Sequence, residues 1–553
     1  RVEIMRGGGS ALFGSNAIAG TINIITKEPN SNSANISNTT NLINGEKTDF
    51  NTQLNAAIVS DDNKSGLMVF ASSRQREALD YDNDGFTEIG ILKSKNIGFR
   101  TYYKTTNYSK LTLEYHNMDE FRRGGNKLDL QPQETEITEQ VEHNINSGGI
   151  KYDIYSKDYK NRFNTYISSQ GIDRKSYYGT QQDPNAFGST KDFTFLSGFQ
   201  FTHTFDTLLF LPAELTGGAE YSVNEMLDKM LGYNRIIDQT VNTKTAFLQN
   251  EWKNKSLSIL LGGRFDKHNL ITKPIISPRL NLRYSPKCWI NMRASYSTGF
   301  RAPQAFDEDL HITAVGGEVS IIQIDPNLKT EKSESISGSI DYYITFGKVQ
   351  ANFLIEGFKT NLNNVFVLEE IDSDLNGNTI LERRNGPGAI VKGINVEGKL
   401  VPIQFLEIQF GLTFQKSKYK ENQLWSNNED LKSHNRMFRS PNQYGYFTTN
   451  YKINKALQLS LSGTYTGTML VQHFAGYVNQ DTEKETDDFF DFNFKISYEI
   501  KLNTTANLQI NSGIQNIFNS YQSDFDKGEF RDAGYIYGPS LPRSYFVGLK
   551  LSM

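Results

Sequence analysis

The chain of 553 residues holds a single cysteine, Cys288, so no disulfide can form within it. The cysteine precedes Trp289, and we interpret its thiol as filling a strand position rather than as a reactive group. A surplus of either charge is also missing, because 58 lysines and arginines oppose 62 aspartates and glutamates and leave a net charge of −4. This balance argues against a basic nucleic-acid interface, and we expect no nucleic-acid partner.

Long hydrophobic runs are absent as well. Only 37% of the residues are hydrophobic. No apolar run approaches the roughly 18 residues of a membrane-spanning helix. Membrane strands are not excluded by this composition. A transmembrane barrel alternates lipid-facing with lumen-facing side chains, and its average hydropathy therefore looks like that of a soluble protein.

Enzyme motifs are missing too. The sequence has no zinc spacing of the HExxH or CxxC type, no Ser/His/Asp order and no activated nucleophile. The glycines Gly7 to Gly9 do not begin a dinucleotide fingerprint, which would need a glycine where Leu12 stands, and no Gly-Lys-Ser/Thr follows them. Leu12 also rules out a nucleophile elbow at Ser10. We therefore expect no catalytic residues and no enzyme.

The dominant feature that is present is period-two alternation of apolar and polar residues, which predicts strands. In one run the polar residues alternate with Phe490, Phe492, Phe494, Ile496, Tyr498 and Ile500. In the last strand the residues on one face, which we expect to meet lipid, are Tyr545, Val547, Leu549, Leu551 and Met553. Alternation by itself fits a soluble sandwich as well as a membrane barrel.

The connections between the strands favour the barrel. Short turns near residues 61–64, 107–109, 285–287 and 346–348 interleave with long polar loops. Short turns at one end and long loops at the other are typical of outer-membrane barrels. We count about 22 strands, an even number that fits a large barrel with a plugged lumen. The predicted fold is all-β, a 22-stranded antiparallel transmembrane β-barrel.

The two ends of the chain carry a family resemblance. Residues 1–27 read RVEIMRGGGSALFGSNAIAGTINIITK. This pattern resembles the closing segment of the plug domain of TonB-dependent outer-membrane transporters, with Gly8 where that family usually has proline. Residues 513–521 resemble the family's penultimate-strand motif, whereas Met553 stands where the family usually ends in an aromatic residue.

The resemblance implies a domain organisation and a function. Residues 1–29 would be the C-terminal segment of a plug inside the lumen, and residues 30–553 the barrel with its long extracellular loops. The protein would lie in the bacterial outer membrane and actively transport a scarce ligand, such as cobalamin, haem or a siderophore. A passive porin is one alternative, although it has no use for a plug. An outer-membrane enzyme or adhesin is the other.

The resemblance also implies partners. We expect the chain to be the C-terminal part of a longer precursor, whose remaining part carries the export signal, most of the plug and the segment that meets the TonB–ExbB–ExbD complex. Outer-membrane lipids and lipopolysaccharide would surround the barrel, and a small-molecule ligand would enter it. A surface lipoprotein over the barrel mouth is a further partner that the sequence leaves open.

Two charged residues of the plug segment are candidates for an anchor. Glu3 and Arg6 should be buried in the lumen, where an unpaired charge is costly, so each should meet an opposite charge or several hydrogen bonds. The resemblance implies that Arg6 pairs with inward-facing glutamates of the wall. Glu251 is the candidate partner.

Three residues are candidates for ligand contacts in the long loops. Residues 299–303 and 325–329 look like the paired Phe-Arg-Ala-Pro and Asn-Pro-Asn-Leu boxes of the family, and Arg301 belongs to the first box. His311 lies between the boxes. In haem receptors of the family a histidine in this loop ligates haem, whereas the plainer interpretation is a polar loop residue. His473 in another loop is the second candidate histidine.

Two acidic turns suggest calcium. Oxygen ligands at alternate positions before a glycine suit the flexible shell of Ca²⁺, although neither turn has the twelfth-position glutamate of an EF-hand. The alternatives are a solvated acidic turn and, for the first turn, neutralisation by Arg74 and Arg76 just upstream. No cofactor is otherwise required. The candidate ligands are Asp80, Asp82 and Asp84 in the first turn and Asp372, Asp374 and Asn376 in the second.

Overall fold

The computed structural model describes residues 2–6, 14, 17–18, 20–310, 313–315, 318–373 and 379–553. Helical structure within these ranges is limited to one turn of α-helix, Asp307–Leu310, and two 3₁₀ turns, Pro132–Glu134 and Leu231–Tyr233. No helix in this described part of the chain has the length and apolar character needed to cross a membrane.

The remaining regular structure consists of strands, named here in chain order. They are β1 Val2–Arg6, β2 Gly20–Ile24, β3 Ser33–Ile43, β4 Lys47–Val59, β5 Ser65–Arg76, β6 Ile91–Thr106, β7 Ser109–Gly125, β8 Ile137–Tyr155, β9 Asn161–Thr180, β10 Phe187–Leu208, β11 Leu211–Met230, β12 Arg235–Lys253, β13 Leu257–His268, β14 Ile275–Lys287, β15 Ile290–Arg301, β16 Thr313–Val315, β17 Glu318–Ile324, β18 Glu331–Phe346, β19 Val349–Asn363, β20 Phe366–Ser373, β21 Thr379–Asn385, β22 Ala389–Ile403, β23 Leu406–Gln423, β24 His434–Arg436, β25 Gln443–Lys452, β26 Leu457–Thr466, β27 Leu470–His473, β28 Thr482–Glu485, β29 Phe489–Lys501, β30 Asn507–Gln515 and β31 Ser544–Ser552.

Twenty-two of these strands form one closed antiparallel barrel, which confirms the predicted fold class. Neighbours in sequence pair around the wall, and β3 closes it by pairing with β31 in a register that sets Leu42 opposite Tyr545. Closure leaves the wall without a free sheet edge, so its backbone groups are satisfied between strands. The short strand β24 adds to β23 beyond the wall proper.

The two ends of the barrel differ in the length of their connections. At one end each connection spans five residues or fewer, as at 60–64 and 347–348. The opposite end, called here the long-loop end, carries connections such as 302–330, 467–488 and 516–543. The turn predicted at 285–287 lies at 288–289 instead. Cys288 is therefore an exposed turn residue, and its predicted strand position is wrong.

Alternate side chains of the wall face opposite sides. On β4, Phe50, Leu54 and Ile58 are 46%, 41% and 66% exposed, whereas Asp49 on the other face is 4% exposed. Val547 and Leu549 of the last strand are exposed in the same way. Large apolar side chains on the outside and polar ones inside are the pattern of a wall that faces lipid.

Strands β1 and β2 form a two-stranded sheet that is separate from the wall. Two residues between these strands, Ala17 and Ile18, touch inner-face positions of the barrel. Ser333 Oγ of β18 donates to the carbonyl of Ile18 at 2.8 Å. A Cβ placed on Gly299 of β15 would lie 2.6 Å from the carbonyl oxygen of Ala17, so only glycine permits this approach. Residues 2–29 are called the N-terminal segment below.

Two of the long loops share a sheet of their own. The connection 302–330 supplies β16 and β17, and the connection 364–388 supplies β20 and β21. The four strands pair in the order β16-β17-β21-β20, with β17 and β21 parallel. Because the central pairing joins both connections, they form one unit, called here the loop sheet.

Candidate functional site

Arg6, the last residue of β1, makes two ion pairs with the inner face of the wall. Its Nη1 donates to Glu356 Oε2 of β19 at 2.7 Å, and its Nη2 donates to Glu397 Oε1 of β22. Asn395 Nδ2 donates to the same Glu356 oxygen at 3.1 Å. Each carboxylate thus has a cationic donor, and the pairing offsets the penalty of an isolated charge in the lumen.

Glu251, the partner predicted for Arg6, is the wrong glutamate. It accepts hydrogen bonds from Ser258 Oγ at 2.7 Å and Lys253 Nζ at 3.2 Å. Five wall strands separate its strand, β12, from β22, so Glu251 and Glu397 lie at different places around the barrel. Glu3 Oε2 accepts a hydrogen bond of 3.1 Å from Nδ2 of Asn23, the residue directly opposite on β2.

A second group of contacts ties the far end of the N-terminal segment to the opposite side of the wall. Lys110 Nζ of β7 donates to both carboxylate oxygens of Glu28, at 2.8 and 2.9 Å. Arg100 Nη1 of β6 donates to Thr26 Oγ1. Sequence reasoning missed these wall residues. Their inward direction follows from strand alternation, but their height relative to the segment does not.

The first acidic turn is organised differently from the predicted calcium loop. Asp80 Oδ2 accepts the Gly85 amide at 2.8 Å, and Gly85 has a φ of 92°, so glycine does permit the sharp turn. Asp84 accepts the amide of Gly528 at 2.7 Å and is ion-paired with Arg531. Asp84 is therefore committed to the connection 516–543 and does not converge with Asp80, so it is wrong as a predicted ligand.

Glu88 takes the place of Asp84. Ligand atoms of Asp80, Asp82 and Glu88 lie within 4.8 Å of one another. The Oδ1 atoms of Asp80 and Asp82 are buried and have no hydrogen-bond partner. Burial raises the pKa of Glu88 to about 7, because desolvation disfavours its charged form more than Arg531 favours it, and Asp82 raises the pKa further. This cluster of three carboxylates is called the acidic cluster below.

The arginines expected to neutralise the first turn lie elsewhere. Arg74 forms a bidentate pair with Asp49, with distances of 3.0 and 2.7 Å. Arg76 donates from Nε and Nη2 to the carbonyl of Gly90, at 3.2 and 3.0 Å. The neutralising cations are Arg531, on Asp84, and Lys527, whose Nζ is 3.2 Å from Asp82 Oδ2.

The second acidic turn and one histidine cannot be compared with their predictions. Asp374, Asn376 and His311 lie outside the described residues, and Asp372 is the penultimate residue of β20, within a stretch whose side chains are not described. The ligand roles predicted for these four residues stay predictions.

The other two loop candidates are held by packing. Arg301 ends β15, and its guanidinium carbon lies 3.7 Å from the ring centroid of Phe306 and 5.4 Å from that of Phe366, which links the two connections of the loop sheet. His473 is 8% exposed, its Nε2 lies 2.9 Å from Asp526 Oδ2, and its ring stacks on that of Tyr535 with the centroids 3.7 Å apart. Because Asp526 engages the Nε2 edge and Tyr535 covers one ring face, His473 is held within the fold, and its packing argues against the predicted role as a haem ligand.

A buried charge network, which the sequence did not indicate, fixes the loop sheet to the wall. Arg383 of β21 donates from Nε to Asp309 Oδ1 at 2.7 Å. The carbonyl of Asp309 accepts from Arg235 at the start of β12, and Arg235 Nη1 also pairs with Asp228 of β11 at 3.0 Å. All four side chains are buried. Breaking one pair would leave an uncompensated charge, so the network resists displacement of the loops.

Comparison with known proteins was consistent with this geometry. The family model for the TonB dependent receptor-like β-barrel matches residues 28–517. Over 385 residues the chain is 22% identical to the vitamin B12 transporter BtuB of Vibrio vulnificus (strain CMCP6), which covers 67% of this chain and 55% of that protein. The chain thus spans about half the length of this curated relative.

Solved structures with the same fold include two receptors. The siderophore receptor PirA from Acinetobacter baumannii superposes with a TM-score of 0.79 at 16% identity, over 100% of this chain and 85% of that one. A mutant of the ferric enterobactin receptor PfeA from Pseudomonas aeruginosa gives 0.78 at 16% identity, with the same coverage. The closed barrel and the family match over residues 28–517 lead to one conclusion: the chain belongs to the TonB-dependent receptor family and is an integral protein of the bacterial outer membrane.

Proposed function

We propose that the protein actively transports a scarce ligand across the outer membrane, driven by the TonB–ExbB–ExbD complex. In this proposal residues 1–29 act as the C-terminal segment of a plug. The ion pairs of Arg6 with Glu356 and Glu397 are the observation that carries it. They hold the segment against the wall at rest. A pull on the plug would have to break them before a path opens.

A passive pore and an enzyme fit less well. The contacts of the N-terminal segment with β6 and β7 on one side and β18, β19 and β22 on the other support a blocked lumen rather than an open one. The relatives are named as transporters and receptors rather than as enzymes.

The ligand class proposed is a metal chelate. The Vibrio relative transports vitamin B12, and the structural neighbours receive siderophores or ferric enterobactin. Cobalamin and ferric siderophores are therefore the leading candidates. Haem has lost the support of His473, whose ring is buried against Asp526 and Tyr535.

We also propose that the acidic cluster binds Ca²⁺. Its unpartnered oxygens on Asp80 and Asp82 and the carboxylate of Glu88 are the hard donors that this ion prefers. Calorimetry with and without chelator tests the site. Asp82→Asn should abolish the heat of Ca²⁺ binding, whereas Asp84→Asn, which removes a partner of Arg531, should retain it. Equal heats in wild type and Asp82→Asn would refute the site.

Uptake measurements test the transport proposal. Cells that make the full-length protein should accumulate the ligand only when TonB is present and the inner membrane is energised. The absorption spectrum of protein purified from its native membrane identifies the ligand, because a corrin band indicates cobalamin and a Soret band indicates haem. Uptake that persists undiminished without TonB would contradict the proposal.

A further inference from the structure

Three arginines share the inner face of the wall next to the long-loop end. Arg74 and Arg76 are two residues apart on β5 and therefore point to the same side. Arg76 lies opposite Asp49 of β4 and Leu92 of β6, and Leu92 lies opposite Arg122 of β7. Asp49 is on the inner face of β4, so this row of cross-strand neighbours faces the lumen. The three residues are called the arginine triad.

The triad carries more positive charge than its neighbours neutralise. Arg74 is paired with Asp49, and Arg122 Nε with Glu120 Oε1 at 2.6 Å. Arg76 is half-buried and is hydrogen-bonded to the Gly90 carbonyl, and within the described part of the chain it has no carboxylate at ion-pair distance. A guanidinium that is partly removed from water without a counter-charge is destabilising. An added anion would relieve this imbalance.

The triad is also accessible from the barrel mouth. The side chains of Arg122 and Arg74 are 64% and 42% exposed. Along β5, Arg74 is about 20 Å beyond Met68, at roughly 3.3 Å per residue. Met68 is the cross-strand neighbour of Arg100, which contacts the N-terminal segment. The triad thus lies in the mouth, clear of that contact. Its inward direction separates it from the phosphates of lipopolysaccharide around the outside.

We propose that the arginine triad binds an anionic oxygen group, a carboxylate or a phosphate, of the ligand that the protein transports. The inference rests on the proposed transport function and narrows its substrate class to ligands that carry such a group. Guanidinium groups present paired N–H donors in a planar fork, which matches two oxygens of one carboxylate or phosphate. A free anion of the same chemistry should occupy the site on its own.

Calorimetry on the full chain in detergent tests the site, with citrate and inorganic phosphate as separate probes. Arg76→Gln and Arg122→Gln should each weaken binding about tenfold, the effect of losing one charge-assisted hydrogen bond. Arg122→Lys keeps the positive charge but not the planar fork of N–H donors, so its affinity for the anion should lie between those of wild type and Arg122→Gln. Lys93→Gln is the matched control, because Lys93 lies on the outward face of β6 beside Phe121 and should bind as wild type does.

Salt gives an independent readout. Raising the ionic strength from about 0.01 to 0.15 M shortens the Debye length from about 30 to about 8 Å and should weaken wild-type binding more than that of Arg122→Gln. Wild-type affinity in both glutamine variants, or an equal loss in Lys93→Gln, would overturn the site. Arg122 is mostly exposed, so its variant should fold even if Arg76→Gln does not.

Failure of this inference is separable from failure of the transport proposal. Binding of citrate or phosphate is measured without TonB, whereas uptake is measured with and without it. TonB-dependent uptake together with unchanged anion binding in the variants would reject the triad alone. Anion binding that depends on the triad, with uptake indifferent to TonB, would reject the transport proposal alone.

Discussion

Arg6→Ala should release the N-terminal segment from one side of the barrel. The substitution removes two charge-assisted hydrogen bonds, to Glu356 and Glu397, and leaves these carboxylates to repel each other across neighbouring strands. The Arg6 side chain is 50% exposed and that of Glu356 is 12% exposed, so solvent screens the pairs in part. We expect a loss of about 1–2 kcal/mol, below the sum for two fully buried charged bonds.

A loss of this size changes the equilibrium between the anchored and the released segment about 5–30-fold. Liposome swelling should therefore report faster passive entry of small sugars in Arg6→Ala than in wild type. Glu397→Gln should have a smaller effect in the same direction. Combining it with Arg6→Ala should add little, because both changes remove the same interaction.

Glu251→Gln is the matched control for this experiment. Glu251 also faces the lumen, but its partners are Ser258 and Lys253 rather than Arg6. Its leakage should equal that of wild type. The reasoning fails if Arg6→Ala leaks no faster than wild type, or if Glu251→Gln leaks as fast as Arg6→Ala.

Three further predictions concern the long loops. The pKa of Glu88 is raised from 4.5 to about 7, so protonation of Glu88 stabilises the folded loop relative to the unfolded chain. The stability of the loop should therefore fall as the pH rises from about 4.5 to about 7, whereas Ca²⁺ affinity measured by calorimetry should rise up to and beyond pH 7. Glu88→Gln should remove both trends. His473→Ala removes the imidazole partner of the buried Asp526 and should reduce local stability by about 1–3 kcal/mol. Amide hydrogen exchange in residues 516–543 should become faster, and unaltered exchange there would contradict this prediction. Arg383→Ala leaves Asp309 buried without its arginine and should destabilise the loop sheet by about 3–5 kcal/mol. Protease should then cleave within residues 302–330 and 364–388 while the wall stays intact. Protease resistance equal to that of wild type would show that the charge network does not hold the loops.

The sequence by itself determined the wall. Alternation is a local property, because successive side chains of a strand must point to opposite faces, and so the outward direction of Val547 and Leu549 could be predicted without knowing any partner strand. The even strand number and the asymmetric ends followed from counting strands and turns. The motif in residues 1–27 indicated the family. Where turns are short, the predicted boundaries were in error by one to three residues, with the largest error at Cys288.

Tertiary structure alone decided which charges meet. Alternation indicates that Glu251, Glu356 and Glu397 all face inward, but the partner of Arg6 depends on where the N-terminal segment lies against a wall whose strands are distant in sequence. The acidic turn shows the same limit. The spacing of the three aspartates is a local feature of the sequence. Arg531, more than 400 residues away, pairs with Asp84, and Glu88 rather than Asp84 converges with Asp80 and Asp82.

The burial of loop side chains could not be predicted from the sequence either. His473 appears as a lone histidine in a polar connection, and only the packing of residues 516–543 over it supplies Asp526 and Tyr535 and removes its ring from solvent. A loop's composition does not reveal what covers it, because that depends on contacts between segments whose separation along the chain carries no periodic signal. Strand faces are set by backbone geometry within each strand, whereas the sites in the mouth are set by how independent loops pack together.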